Sequence, residues 1–147
     1  PVSSSRIRRA LADGDIATVN GCLQRRFRLG GEVILGDQRG RTIGFPTANL
    51  EVWERQLLPA NGVYAAYAWL DGEHLEAAVN VGVRPTIADS HLSVEAHLLD
   101  FDRDIYGCEL DLEFVGRIRD ERKFSGLDAL KAQISTDVGQ ARAMLRQ

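Results

Sequence analysis

Residues 36–50 hold the side chains whose types and spacing are best suited to chemistry. The segment reads G-D-Q-R-G-R-T-I-G-F-P-T-A-N-L and combines glycines, two arginines and small neutral oxygens. Glycine lets a backbone approach a ligand closely, and Pro46 keeps the chain around it out of a helix. Thr47 and Asn49 then share one face, because alternate residues of an extended chain point the same way. Such oxygens beside a guanidinium would suit a magnesium-bound polyphosphate.

The same segment is not a P-loop. A P-loop has the pattern G-x-x-x-x-G-K-[ST] between a parallel strand and a helix, whereas residues 36–42 read G-D-Q-R-G-R-T. The spacing is one residue short, arginine replaces lysine, and no parallel strand is predicted there. A glycine-rich hairpin is the alternative on composition alone. The Thr47/Asn49 pair favours a ligand site, because a turn does not need it.

Glu95 is the candidate catalytic carboxylate, and we expect it to face Thr47 and Asn49 across the site. It lies in S-V-E-A-H-L at 93–98, where apolar and polar residues alternate as on a strand with one buried face. A carboxylate aimed into a cleft can orient or deprotonate a hydroxyl group. The alternative is a solvent-facing Glu95/His97 pair. The three histidines lack metal-ligand spacing, and we interpret them as non-catalytic.

Residues 118–124, I-R-D-E-R-K-F, place five charges ahead of an aromatic side chain. A solvated charge run before a helix is the common interpretation of such a segment. As a flap, it could instead lay Phe124 against a flat ligand while Arg119 and Glu121 make polar contacts. The pattern alone leaves both interpretations open.

The elements that must position these residues form one domain of ordinary size. The chain has 147 residues, 44% of them hydrophobic and 27% charged, as in globular proteins. A net charge of −3 argues against a dedicated nucleic-acid binder. No membrane span or signal peptide is visible, and Cys22 and Cys108 are far apart, which together indicate reduced thiols and a cytoplasmic location.

The hydrophobic pattern predicts a mainly β fold with helices at both ends. Residues 3–23 form a leader of two short helices, with the run Ser3-Ser4-Ser5 as candidate N-cap of the first and Asp15 of the second. From residue 27 to 118, β-rich runs alternate with turn signals, and closing five or six strands into an antiparallel barrel removes their exposed edges. Apolar residues at intervals of three and four predict an amphipathic helix over 126–146, with Asp137 on its polar side.

Six motifs, in order, resemble the riboflavin kinase (flavokinase) family. They are G-F-P-T-A-N-L at 44–50, L-P-A-N-G-V-Y at 58–64, V-N-V-G-V-R-P-T at 79–86, V-E-A-H-L-L-D-F at 94–101, D-I-Y-G at 104–107 and I-R-D-E-R-K-F at 118–124. The resemblance is close to the C-terminal half of bacterial bifunctional riboflavin kinase/FMN adenylyltransferases. It implies a six-stranded Greek-key, split-barrel-like fold with a C-terminal helix.

The resemblance also implies a reaction, transfer of the γ-phosphoryl group of ATP to the ribityl 5′-hydroxyl of riboflavin, which gives FMN and ADP. By motif position, Glu95 would be the base or hydroxyl-orienting carboxylate, and Thr47 and Asn49 would hold Mg²⁺ and the nucleotide phosphates. The remaining ATP-binding residues would be Gly36, Arg41, Gly44 and Tyr106. The flavin-binding residues would be Arg119, Glu121 and Phe124.

The sequence departs from the family pattern at two positions, and the part of the chain before residue 26 resembles something other than the kinase domain. Asp120 replaces a proline of many members, which implies a less stiff flap, and Arg41 replaces the lysine of some members. Residues 1–25 resemble the junction with an adenylyltransferase module, which would leave 26–147 as the kinase domain. No nucleotidyl-transfer motif is present, so we expect the chain to be part of a longer enzyme and not to make FAD by itself. A non-catalytic flavin-binding barrel and an interaction module are the alternatives.

Overall fold

The computed structural model describes residues 3–34, 47–52, 56–85 and 90–147. Within these residues the chain forms a closed six-stranded antiparallel barrel with helices at both ends, which confirms the predicted fold class. The helices are α1 (Ser4–Asp13), α2 (Ile16–Leu23) and α3 (Leu127–Leu145). The strands are β1 (Phe27–Ile34), β2 (Ala48–Leu50), β3 (Gly62–Leu70), β4 (Glu73–Pro85), β5 (Ser90–Leu98) and β6 (Glu109–Arg119).

The strands follow the order β1-β2-β5-β4-β3-β6 around the barrel. Strands β3, β4 and β5 form a meander, and β2 lies beside β5, so these four strands make a Greek key. Pairing of β1 with β6 closes the barrel, in a register that runs from Phe27↔Phe114 to Glu32↔Glu109. Because the barrel is closed, neither β1 nor β6 has a long unpaired edge.

The hairpin between β3 and β4 fixes which side chains face the barrel interior. Asp71 and Gly72 both have positive φ, 49° and 81°, as a type I′ turn requires. The register then runs from Leu70↔Glu73 to Gly62↔Val81 without a shift. A slip of one residue would exchange the two faces of these strands, so this turn sets both the core and the outer surface.

Apolar side chains fill the barrel and also cover part of its outer face. Among the described residues, nine large side chains are less than 2% exposed, namely Tyr64, Phe114, Ile16, Leu110, Leu112, Val19, Val79, Val81 and Val94. On the outer face, Ala65 and Ala78 pack against Ala141 and Leu145 of α3. Small residues on the sheet let the helix approach, which explains why the alternate residues of β3 are apolar on both faces.

Charged pairs fasten the C-terminal end of α3 to the barrel. Arg142 donates two hydrogen bonds to the carboxylate of Asp100, at 2.8 and 3.1 Å. Arg146 donates two to the carboxylate of Glu76, at 2.7 and 2.9 Å. The hydrogen bond from Arg146 is the main influence that lowers the pKa of Glu76. These contacts are solvent-exposed, so they orient the helix more than they stabilise it.

The two leader helices pack on one end of the barrel. Ser3, the first of the three candidate serines, and the predicted Asp15 cap α1 and α2 by accepting hydrogen bonds from Arg6 N and Thr18 N. Asn20 joins the leader to two strands, because its Nδ2 donates to the carbonyl of Phe114 at 2.9 Å and its Oδ1 accepts from the amide of Phe27 at 2.8 Å. In the part of the chain that the structure describes, no helix is long and apolar enough to cross a membrane.

Candidate active site

A row of three polar residues crosses the outer face of β2, β5 and β4. Glu95 on β5 lies opposite Asn49 on one side and opposite Asn80 on the other. The neighbours of Glu95 along its strand, Val94 and Ala96, belong to the barrel core. Because side chains alternate along a strand, Glu95 and its two partners in register face outward. Glu95 and Asn49 are thus direct neighbours on adjacent strands, on the same side of the sheet.

The outer face of these strands forms one wall of a cleft of about 840 Å³. The other wall is the irregular segment 120–126 together with the first turns of α3. The cleft brings together five of the residues singled out from the sequence, namely Thr47, Glu95, Arg119, Glu121 and Phe124. Its volume lies within the range of small-molecule sites, about 300–1,000 Å³.

Thr47 and Asn49 could contribute oxygens to a metal ion. Thr47 is half-buried and lines the cleft. Asn49, on β2, is 8% exposed and lies two residues after Thr47. Among the described residues, no three His, Cys, Asp or Glu side chains cluster as a metal site. This donor set fits Mg²⁺ better than a transition metal, because Mg²⁺ takes few protein oxygens and completes its shell with phosphates and water.

An ion pair anchors the start of the 120–126 segment to α3. Arg119 at the end of β6 donates to both carboxylate oxygens of Asp137, at 2.9 and 2.8 Å. Gln133 donates to the same carboxylate at 3.0 Å and accepts from Arg122 at 3.1 Å. A bidentate arginine–carboxylate pair gives both energy and a fixed orientation. The network therefore holds the segment against the helix on one side of the cleft.

Asp137 corrects the predicted polar side of α3. Its side chain is buried, with the whole residue 3% exposed, although the sequence placed it among the solvent-facing residues. The physical reason is Arg119, whose guanidinium compensates the buried charge. The spacing carried a signal, since Asp137 is three residues after Ile134 and four before Ala141 and so falls within the apolar stripe.

Phe124 and Glu121 complete the wall formed by this segment. The Phe124 ring is half-buried, and its centroid lies 5.7 Å from the Arg119 guanidinium and 5.1 Å from that of Arg122. Such an arrangement offers a flat apolar surface flanked by positive charge. The carboxylate of Glu121 lies against Gly82 of β4, in space that a side chain at this glycine would occupy. The segment thus reaches across to the barrel.

Of the other residues predicted for the site, Tyr106 lies in the described part of the chain but does not line this cleft. Tyr106 is 59% exposed. It lies beside the end of β1, because the amide of the next residue, Gly107, donates to the carbonyl of Val33 at 2.9 Å. Gly36, Arg41 and Gly44 lie outside the described residues, so their predicted role in ATP binding stays a prediction.

The cleft is also lined by polar residues that the sequence analysis did not propose for the site, among them His97 and Asn80. His97 faces outward two residues after Glu95, and its place in the lining does not by itself give it a chemical role. Asn80 lies between Val79 and Val81, which are both fully buried. A lone polar residue between two core valines on a strand is the signal that could have identified it.

A family model described as Flavokinase: Riboflavin kinase matches residues 23–145. The bifunctional riboflavin kinase/FMN adenylyltransferase of Bacillus subtilis (strain 168) is 42% identical over 143 residues, which cover 95% of this chain and 45% of that protein. The enzyme of the same description from Haemophilus influenzae is 45% identical over 143 residues, 97% of this chain and 46% of that protein. The chain thus spans less than half the length of these relatives.

Two solved structures are also similar. A crystal structure described as a macrolide-efflux protein from Streptococcus pneumoniae has a TM-score of 0.90 and 36% identity, over 96% of this chain and 46% of that one. The riboflavin kinase from Trypanosoma brucei has a TM-score of 0.57 and 26% identity, over 82% of this chain and 77% of that one. Because the family model spans nearly the whole barrel and α3, the chain belongs to the riboflavin kinase (flavokinase) family.

Proposed function

We propose that this chain is a riboflavin kinase, which transfers the γ-phosphoryl group of ATP to the ribityl 5′-hydroxyl of riboflavin and releases FMN and ADP. The observation that carries the proposal is the cleft, in which a carboxylate, a neutral oxygen donor and a flat aromatic ring face one space. Membership of the riboflavin kinase family supports the same conclusion.

Glu95 is the residue we propose for the chemical step. Phosphoryl transfer depends mostly on alignment and on neutralising charge. The ribityl hydroxyl donates a hydrogen bond to the Glu95 carboxylate, which aims the hydroxyl oxygen at the γ-phosphorus. As the new O–P bond forms and the bond to the ADP oxygen breaks, the hydroxyl proton passes to Glu95 and then to solvent.

We place Mg²⁺ and the nucleotide phosphates at the β2 side of the cleft. Thr47 and Asn49 would hold the ion, and bound Mg²⁺ would supply positive charge beside the phosphates. Gly36, Arg41, Gly44 and Tyr106 are the further ATP-binding residues proposed from their motifs.

The flavin ring belongs, on this proposal, at the opposite side of the cleft. Phe124 would contact a face of the isoalloxazine ring, and Arg119 and Glu121 would make polar contacts along its edge. The support is the position of these residues on one wall, across the cleft from Glu95. The polyol chain of riboflavin would then run from this wall toward the carboxylate.

The test of the proposed function is FMN formation by Glu95→Gln. The chain is incubated with riboflavin, ATP and Mg²⁺, and FMN is quantified by chromatography. The wild type should form FMN, and Glu95→Gln should lose most turnover, about a hundredfold or more by the usual contribution of a general base, while still binding riboflavin. Glu73→Gln, in an exposed pair with Arg103 away from the cleft, is the matched control and should retain turnover.

Two outcomes would contradict the proposal in different ways. No FMN from the wild type would favour the alternative, a non-catalytic flavin-binding barrel whose affinity does not depend on ATP or Mg²⁺. Near-normal turnover by Glu95→Gln would remove only the role of Glu95.

We further propose that the chain is the kinase part of a bifunctional enzyme, linked to an adenylyltransferase module. Its match to less than half of each bifunctional relative supports this proposal. Incubation with FMN, ATP and Mg²⁺ should then give no FAD. The cytoplasmic location and the absence of nucleic-acid partners stay predictions from the sequence.

A further inference from the structure

Asn80 is a polar residue of the cleft that the proposed mechanism has not used. It lies in the middle of β4, with Glu95 beside it on β5 and Val63 beside it on β3. Its side chain lines the cleft. Gly82, two residues further along the same face, lies under the Glu121 carboxylate. Asn80 therefore stands between the proposed catalytic carboxylate and the wall proposed for the flavin.

The side-chain oxygen of Asn80 accepts no hydrogen bond from any residue that the structure describes. This atom, Oδ1, is buried. Buried polar groups in native proteins are nearly always hydrogen-bonded, so an exception at a cleft points to a missing partner. An unsatisfied buried acceptor lowers the free energy of unfolding, and a ligand that donates a hydrogen bond to it recovers that lost stability.

The chemistry of this oxygen restricts what it can bind. An amide oxygen accepts hydrogen bonds, and the oxygens of an ionised phosphate donate none, so the ligand group must carry an O–H or N–H. Asn80 is badly placed to bind the same metal ion as Thr47 and Asn49, because strand β5 lies between them. Two strand spacings amount to about 9.5 Å, and side chains stand roughly perpendicular to the sheet.

We propose that Asn80 binds the polyol chain of the flavin substrate, with Oδ1 accepting a hydrogen bond from a ribityl hydroxyl next to the one that Glu95 orients. This inference rests on the proposed riboflavin kinase function. Residues opposite each other on neighbouring strands have Cβ atoms about 5 Å apart. Two acceptors at this spacing can bind two hydroxyl groups of one extended polyol. The contact would fix the position of the ribityl chain as well as that of its terminal hydroxyl.

The test is to replace Asn80 by valine and compare two flavins. Riboflavin carries the hydroxyl chain, whereas lumiflavin carries the same ring with a methyl group in its place. Asn80→Val should weaken riboflavin binding about two- to tenfold, the range of one neutral hydrogen bond, and leave lumiflavin binding unchanged. The melting temperature should stay the same or rise, because the substitution removes an unsatisfied buried acceptor and adds a good strand former.

Asn20→Val is the matched control. Both polar groups of Asn20 are bonded to backbone atoms, so this variant should lose stability and keep the riboflavin affinity of its folded fraction. Equal weakening of both flavins by Asn80→Val, a lower melting temperature with unchanged riboflavin affinity, or a loss of nucleotide affinity alone would overturn the assignment. A wild-type chain that forms no FMN would instead overturn the proposed function.

Discussion

Gly82 shows how one missing side chain allows the two walls of the cleft to meet. The carboxylate of Glu121 occupies the space that a Cβ on Gly82 would need. The backbone of Gly82 is ordinary strand paired with Ser93, so a side chain at this position would be opposed by lack of space and not by an unusual φ. The obstructing atoms are the end of a flexible side chain, which can move aside at small cost.

Gly82→Ala should therefore affect ligand binding more than folding. The new methyl group displaces Glu121, a proposed flavin contact, and we expect riboflavin affinity to fall several-fold, with the melting temperature nearly unchanged. Fluorescence titration with riboflavin and a thermal melt measure the two effects. Gly139→Ala on α3, where a Cβ meets nothing within 4 Å, is the control and should gain about 0.5–1 kcal/mol of stability without altering affinity. Unchanged riboflavin affinity in Gly82→Ala would contradict a role for Glu121 in binding.

The candidate residues illustrate how far local patterns can specify a site. Thr47 and Glu95 were proposed from their types and from strand alternation, their roles came from the family resemblance, and the structure places both on the lining of the cleft. Asp137 was assigned to the wrong face, because periodicity cannot distinguish a buried acid with a distant partner from an exposed one. The partner, Arg119, lies on another element, so the pair becomes visible only when the fold is known.

Helix α3 is a structural part of the cleft. Its N-terminal half contributes Leu127, Leu130 and Ile134 to the lining, and its C-terminal half packs on the outer face of the barrel through Ala141 and Leu145. Between them, Asp137 holds Arg119 and, through Gln133, reaches Arg122. A change in the helix is thus transmitted to the segment that carries Phe124.

Asp137→Asn tests this connection. The variant breaks a buried ion pair, for which the loss is about 3–5 kcal/mol when both partners are fully buried. We expect about 2–3 kcal/mol from urea unfolding, because the Arg119 side chain keeps 17% exposure. The KM for riboflavin should rise several-fold while the KM for ATP changes little, since the network supports the wall proposed for the flavin and not β2.

Asp128→Asn serves as the control on the same helix. Asp128 is an exposed acidic residue in the first turn, where its interaction with the helix dipole is worth less than about 1 kcal/mol. Its variant should keep both KM values. Equal increases in the KM values of Asp137→Asn for riboflavin and ATP would indicate a general loss of structure in place of a positioning role.

At the level of elements, features set by local sequence could be predicted, whereas the pairing of distant strands could not. The Asp71-Gly72 turn, a serine cap within residues 3–5, the Asp15 cap and the helix over 126–146 follow from short stretches of sequence, and the structure confirms them. The partners of β2 do not follow, because its three residues pair with a strand more than forty positions away. Such registers depend on closure of the whole barrel.

At the scale of the whole molecule, the leader helices belong to the same hydrophobic core as the barrel. Leu11, Ile16 and Val19 are at most 2% exposed and cluster with barrel residues such as Tyr64 and Phe114. The division at residue 25 stays a prediction from the family resemblance. We propose that the folding unit extends across it and includes α1 and α2.

Shortening the chain to residues 26–147 should then prevent cooperative folding. The deletion removes four buried apolar side chains and the Asn20 bonds to β1 and β6, so core residues at this end of the barrel become exposed to water. We expect a broad or absent thermal transition by circular dichroism and no FMN formation. A single substitution, Leu11→Ala, should cost about 2–5 kcal/mol in urea unfolding, as large-to-small changes in cores do.

Ala12→Ser, at the exposed neighbouring position, controls for changes in helix propensity alone and should cost only about 0.5 kcal/mol. If residues 26–147 melted cooperatively at the temperature of the whole chain, the leader would be a junction and not part of the fold. The packing argues against that outcome, because Leu11 also accepts a backbone hydrogen bond from Ala60 at 2.9 Å, just ahead of β3. The leader thus supports the strand whose hairpin sets the register of β4, and through it the positions of Asn80 and Glu95.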